Sequence, residues 1–202
     1  MFRTWLPSKE VGHTDSAMKE FYGLMGKEAA FETPKPSELI KHFCMISLRS
    51  DDLVLDFFAG TATTAQVVLE MNKQTGGTRK FIAVQLPQPC DKDSDAFKAG
   101  YETIADIGKE RIRRVIRKAT EERQGELAFD APKNIDLGFK VFKLEKTNFK
   151  LWNGNAGAFD ESGKQLEMHV DHLSPESSAE DVLYELLLKA GFSLTTKVKH
   201  LV

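Results

Sequence analysis

The sequence has only two cysteines, Cys44 and Cys90, in 202 residues. Two thiols so far apart exclude a disulfide framework or a cysteine-rich zinc site and read as reduced thiols of a cytoplasmic protein. No run of about 18 apolar residues occurs, so no membrane-spanning helix is expected. The opening stretch, MFRTWLPSKEVGHTDS, lacks the apolar core of a signal peptide. The net charge is -2, so no global positive charge announces nucleic acid, and a DNA-binding role needs a local patch or further parts of a larger protein. His169 and His172 have no cysteine pair near them and read as ordinary histidines, so no metal is expected. Among seven prolines no two are adjacent.

What is present is centred on residues 51–72, DDLVLDFFAGTATTAQVVLEMN. Leu53, Val54 and Leu55 form the apolar run of a strand buried on both faces. Asp56, Phe57, Phe58, Ala59 and Gly60 follow, and Thr61, Ala62, Thr63 and Thr64 lead into helical spacing at Ala65, Val68 and Leu69. Strand, small-residue turn and helix place a ligand at a helix N-terminus, beyond the carboxyl end of a parallel strand. Gly60 lets the backbone approach a ligand closely, and Asp56 offers a carboxylate to a cationic or hydroxylic group. From these residues alone, a ligand site and a plain structural turn stay equally open. A Walker phosphate loop is excluded, because no lysine occurs between Asp56 and Met71. The dinucleotide fingerprint is excluded too, since its second and third glycines are missing.

DFFAGTATTAQVVLEMN, followed by GGTRKFIAVQLPQ at 76–88, resembles motif I and the next strand of type III restriction–modification DNA methyltransferases, the modification subunits. The resemblance runs from about 33 to 198, in several separated segments in order. It implies an adenine-N6 methyltransferase that uses S-adenosyl-L-methionine. Ala62 stands where the family pattern has glycine, so the turn is more crowded here. The lysine–proline pair of the motif X region, here Lys35-Pro36, would lie beside the methionine end of the cofactor. By its residues alone that stretch is a capped amphipathic helix with an exposed lysine. Its cap is Ser37, and its apolar positions are Leu39, Ile40, Phe43 and Ile46. The second strand, with Phe81, Ile82, Ala83 and Val84 as its buried part, ends at Gln85, where this fold class usually has an acid that binds the ribose hydroxyls. Glutamine keeps an acceptor but lacks the charge that strengthens the bond.

The remaining elements are read from spacing. Residues 1–30 are polar, with a short helix near 16–25. GYETIADIGKERIRRVIRKATEE predicts a helix with Ile104, Ile107, Ile112, Val115 and Ile116 on its apolar face. Arg111, Arg113, Arg114, Arg117 and Lys118 suit a helix C-terminus and a solvated face, with a phosphate-contacting patch as the alternative. A polar linker covers 119–134. Phe139, Val141, Phe142 and Leu144 alternate as a third strand. A last helix starts at Ser177-Ser178, packs Leu183, Leu186, Leu187 and Ala190, and closes at Gly191.

Adenine amino-methyltransferases carry an Asp/Asn-Pro-Pro-Tyr/Phe motif, whose polar groups orient the amine and whose aromatic ring stacks on the flipped base. It is absent here, so no catalytic residue is assigned. The expectation is an α/β chain: a partial class I, Rossmann-like methyltransferase fold with a small C-terminal α/β appendage. Its parts are a leading segment at 1–32 from an upstream region, the cofactor-binding half at 33–147, and an appendage at 148–202 for subunit contact. Helices 37–48, 63–72 and 100–119 and strands 52–57, 80–86 and 138–144 would give half of a doubly wound sheet. Asp56 to Thr64 would cradle the amino-acid end of the cofactor, Lys35 its carboxylate, and Gln85 the ribose. The full enzyme would work on duplex DNA with a restriction subunit and a second modification subunit. Two other readings stay open: a non-enzymatic module that docks a restriction subunit, and an α/β enzyme with another nucleotide ligand.

Overall fold

The computed structural model describes residues 5–29, 31, 33–125, 136–151, 172–193 and 195–199. The chain forms two compact units, residues 1–138 and residues 139–202.

The first unit is built on one parallel strand–helix–strand unit. Strand β1 (Leu53–Asp56) pairs with β2 (Lys80–Ala83) in the register Leu53↔Lys80 to Asp56↔Ala83. Four helices precede or join them: α1 (Ser8–Val11), α2 (Thr14–Met25), α3 (Ser37–Ser47) and α4 (Thr63–Thr75). Two follow: the short α5 (Asp95–Lys98) and the long α6 (Ile104–Gly125).

Helix α4 is the crossover between the strands and the centre of the unit. Eight of its thirteen residues are buried, including Val67 and Val68, so it is covered on nearly every side. On one flank Val67 and Met71 pack with Cys44, Ile40 and Leu48 of the α3 region. On the other flank α6 crosses it, and α2 lies beyond. Phe21, Met25, Ala29, Ala96 and Ile107 form a second apolar cluster there. Full burial of Phe21 alone is worth roughly 1.5–3 kcal/mol. The expected short helix at 16–25 is therefore present as α2, two residues longer at its start, and it carries core residues.

Local signals set most ends. His13 caps α2 by accepting from the Ser16 amide. Thr103 and Asp106 cap α6 reciprocally: the Asp106 amide donates to Thr103 Oγ1 at 3.2 Å, and the Thr103 amide donates to Asp106 Oδ2 at 3.0 Å. This pairing starts the helix at Ile104 rather than near 100. Ser37 does not cap α3. It is already helical, and its buried hydroxyl donates to Glu20 Oε2 at 2.6 Å, tying α3 to α2.

In the second unit, helix α7 (Ala179–Lys189) starts at Ser178, whose Oγ accepts from the Asp181 amide at 3.1 Å. Gly191 takes a φ of 82° just after it, as expected from its place. Leu183 and Leu187 are half-buried, whereas Leu186 and Ala190 are exposed among the described residues. The third strand expected at 138–144 is not formed: the segment makes no ladder with any described strand. Alternation alone does not make a strand, since the ladder needs a partner. The segment instead uses side chains, with Phe142 edge-on to Tyr184 at 5.6 Å. His169, Pro132 and most of the 119–134 linker lie outside the described residues.

Candidate functional site

The carboxyl end of β1 runs into the turn 57–62 and so to the N-terminus of α4. Asp56, the last strand residue, closes the turn from beneath. Its Oδ2 accepts from Thr64 Oγ1 at 2.5 Å and its Oδ1 from the Phe58 amide at 3.2 Å. The β2 side closes it from the flank. The Val84 amide donates to the Asp56 carbonyl at 2.8 Å, and the Ala59 amide to the Val84 carbonyl at 3.1 Å. Gln85 completes this: its Oε1 accepts from the Gly60 amide at 2.7 Å, and its Nε2 donates to the Leu86 carbonyl at 3.3 Å. Of the expected site residues, Asp56 is thus bonded to Thr64 and Gly60 to Gln85, and backbone bonds at Val84 link the two pairs. Gln85 lies two residues past the end of β2, and its acceptor oxygen already serves the turn.

Two residues of the turn have left-handed backbone, Gly60 at φ 51° and Ala62 at φ 62°. For alanine this costs roughly 1–2 kcal/mol, so packing must hold it there. Helix α6 supplies that packing through a glycine. A Cβ at Gly108 would come within 3.3 Å of the Gly60 carbonyl oxygen and 3.5 Å of Ala62 Cβ. Over Gly60 itself the space is open, since an added Cβ would meet only the Phe58 carbonyl oxygen at 3.9 Å. Ala62 is the N-cap of α4 and gives no side-chain cap. The first-turn amides of α4 therefore have neither an intrahelical acceptor nor a capping side chain, an arrangement suited to a carboxylate. An open cradle over glycine beside uncapped helix amides leaves room for an anionic ligand group.

The other expected residues are placed differently. Phe57 and Phe58 are exposed, Phe58 to 90%. Thr61 and Thr63 are buried beneath the turn. Pro36 is the N-cap of α3, and Lys35 before it is exposed. A groove of about 330 Å³ between α3 and β1 is lined by Ile40, Phe43, Cys44, Asp56 and Thr64 among others, and Lys35 is not part of its lining.

Arg111 departs from the solvated face expected for it: it is 1% exposed and lies inside the unit. Its Nε donates to Gln66 Oε1 at 2.7 Å, and its Nη1 donates to Thr63 Oγ1 at 2.8 Å and Thr61 Oγ1 at 3.0 Å. Burial lowers its pKa to about 10, while Glu20 and Glu70 pull it back up, so it stays protonated at neutral pH. Burial also raises the Glu70 carboxyl above its ordinary range, although its hydrogen bond from Gln66 opposes this. The signal was in the spacing: Ile107, Arg111 and Val115 are four apart and share the inward stripe of α6. Arg114 also turns inward, its Nη1 donating to the Met25 carbonyl at 2.6 Å. The basic residues of α6 therefore do not form one surface patch.

A parallel strand–helix–strand unit with an open turn at the carboxyl end of its first strand is the repeating unit of the α/β class. Within that class the chain belongs to the DNA methylase family N6_N4_Mtase, which matches residues 3–103. Membership carries the fold of S-adenosylmethionine-dependent methyltransferases. The chain is 36% identical over 169 residues to the StyLTI Mod subunit of a type III restriction-modification enzyme from Salmonella typhimurium, covering 76% of this chain and 25% of that one. It is 38% identical over 125 residues to the EcoPI Mod subunit of a type III enzyme from Escherichia phage P1, covering 61% and 19%. A type II methyltransferase, M.KpnI of Klebsiella pneumoniae, is 35% identical over 100 residues, covering 50% and 24%. The resemblance to type III modification subunits read from motif I is thus borne out. The chain spans about a quarter or less of the length of these relatives. Among the described residues no helix is long and apolar enough to cross a membrane.

Proposed function

We propose that this chain is the cofactor-binding part of a type III DNA adenine-N6 methyltransferase, and that it transfers no methyl group without a segment bearing the Asp-Pro-Pro-Tyr motif. The observation that carries the proposal is the open turn 56–64, braced by Asp56 and Gln85, at the uncapped start of α4. In this reading Asp56 to Thr64 hold the amino-acid end of S-adenosylmethionine, which supplies the methyl group. Gln85 offers its amide to the ribose hydroxyls, and Lys35-Pro36 approach the methionine end. The amine-orienting groups come from the remainder of the enzyme, where positioning contributes much of the rate.

The exposed sheet supports the same reading. Leu53, Leu55, Phe57, Ile82 and Val84 leave a parallel sheet open to solvent, although such sheets are normally covered on both faces. The rest of the methyltransferase domain would cover them. Duplex DNA, a restriction subunit and a second modification subunit are the proposed partners, and the cytoplasm the proposed compartment.

The test is transfer of tritiated methyl groups to mixed-sequence duplex DNA. The 202-residue chain alone gives no N6-methyladenine, and adding a polypeptide with the Asp-Pro-Pro-Tyr motif gives transfer. Steady turnover by the chain alone would overturn the proposal, because other residues here would then orient the amine.

A further inference from the structure

The turn that the proposed function places at the cofactor is held from behind by one buried cation. Arg111 touches both neighbours of the left-handed Ala62. Its Nη1 donates to Thr61 Oγ1 at 3.0 Å, to the Thr61 carbonyl at 3.4 Å and to Thr63 Oγ1 at 2.8 Å. Its Nε donates to Gln66 Oε1 at 2.7 Å, one helical turn into α4. The Gln66 amide group donates in turn to Glu20 Oε1 at 2.7 Å and Glu70 Oε1 at 2.9 Å. The guanidinium carbon lies 5.5 Å from the centre of the Phe21 ring. A planar fork can satisfy three acceptors on two elements at once, whereas an ammonium on a flexible stem cannot hold the same geometry.

We infer that Arg111 is a positioning residue for the cofactor turn: it fixes Thr61–Ala62–Thr63 in the strained shape that leaves the cradle over Gly60 open. The inference rests on the proposed cofactor site for its functional consequence but not for its structural one. Glu20 and Glu70 balance the charge through Gln66, so α2 takes part in shaping the site.

The experiment compares the wild-type chain with Arg111→Lys and Thr63→Val, by amide hydrogen exchange and by titration with S-adenosylmethionine. Arg111→Lys keeps a charge in place, and Thr63→Val removes one acceptor while preserving volume. Exchange at the bonded turn amides of Ala59, Gly60 and Ala62 accelerates at least tenfold in both variants, while the amides of α2 and the middle of α6 stay within twofold. Affinity for S-adenosylmethionine falls about tenfold or more. Uniform acceleration across the unit, or exchange at these three turn amides unchanged, would overturn the inference, since Arg111 would then only hold the core together. Wild-type chain that fails to bind S-adenosylmethionine would remove the proposed cofactor site, and the exchange data would still decide whether Arg111 positions the turn. Normal affinity with accelerated exchange would end its role in binding.

Discussion

Helix α4 and the sheet it serves exchange the places they usually hold. In parallel α/β proteins the strands are the buried layer and each helix shows one face to water. Here Val68 of α4 is 0% exposed, whereas Leu55 in the middle of β1 is 50% exposed. The helix is finished, with α3 on one flank and α6 on the other, and the two-stranded sheet is not. The turn 57–62, proposed to receive the cofactor, lies between them. Arg111 and Gly108 of α6 contact it from the helix side, and the space over Gly60 is open. In the proposed reading the rest of the methyltransferase domain therefore joins this chain at the sheet and not at the turn.

The largest expected effect comes from charging the two sides in turn. Val68→Asp buries an unpaired carboxylate and costs more than about 4 kcal/mol, enough to unfold the first unit. Leu55→Asp changes stability by less than about 1 kcal/mol, because its side chain already meets water. Urea unfolding followed by circular dichroism measures both. Equal losses would mean that the sheet face is covered in solution.

Gly60→Val probes the turn itself. Its φ of 51° is one that a β-branched residue adopts at a cost of roughly 1–2 kcal/mol. The added side chain would also fill the open cradle. Folding survives and binding of S-adenosylmethionine is lost by calorimetry; unchanged affinity would remove the turn from the site. Gln85→Glu is a smaller change. An ionised acceptor strengthens bonds to the Gly60 amide and to ribose hydroxyls, so affinity rises by up to about 1 kcal/mol. Weaker binding would mean that the amide donor is what the ribose needs.

The smallest effect separates the two units by pH. Glu185 in the second unit is held down to about 2, first by its bond from Lys189 and then by Thr147 and the Asn148 backbone. Its folded value lies below its ordinary value of 4.5, so its contribution is present above that pH and is lost as pH falls towards 2. Glu185→Gln flattens the acid dependence of the second unit's unfolding and leaves that of the first unit unchanged. A shift in the first unit's curve would contradict this assignment.

The features that were legible in the sequence are the local ones. The apolar run 53–55, the small turn and the spacing of Ala65, Val68 and Leu69 each depend on neighbours along the chain, and they gave β1, the turn and α4. The Ser178 cap and Gly191 were legible for the same reason. What stayed hidden depends on partners far away in sequence. Arg111 reads as one more surface cation until Gln66 and Thr63, more than 40 residues back, are brought to it. Ser37 reads as a cap until Glu20 arrives to accept a hydrogen bond from its hydroxyl. Residues 138–144 alternate like a strand but have no described strand to pair with.

The central claim is that residues 56–64 with Gln85 receive S-adenosylmethionine. The most direct measurement is titration of isotopically labelled chain with S-adenosylmethionine, followed by amide chemical shifts, which detect weak binding. Saturable shifts are expected at Asp56–Thr64, Gln85, the start of α4 and Lys35. No shift at millimolar cofactor, or shifts centred elsewhere in the chain, would contradict this placement of the cofactor.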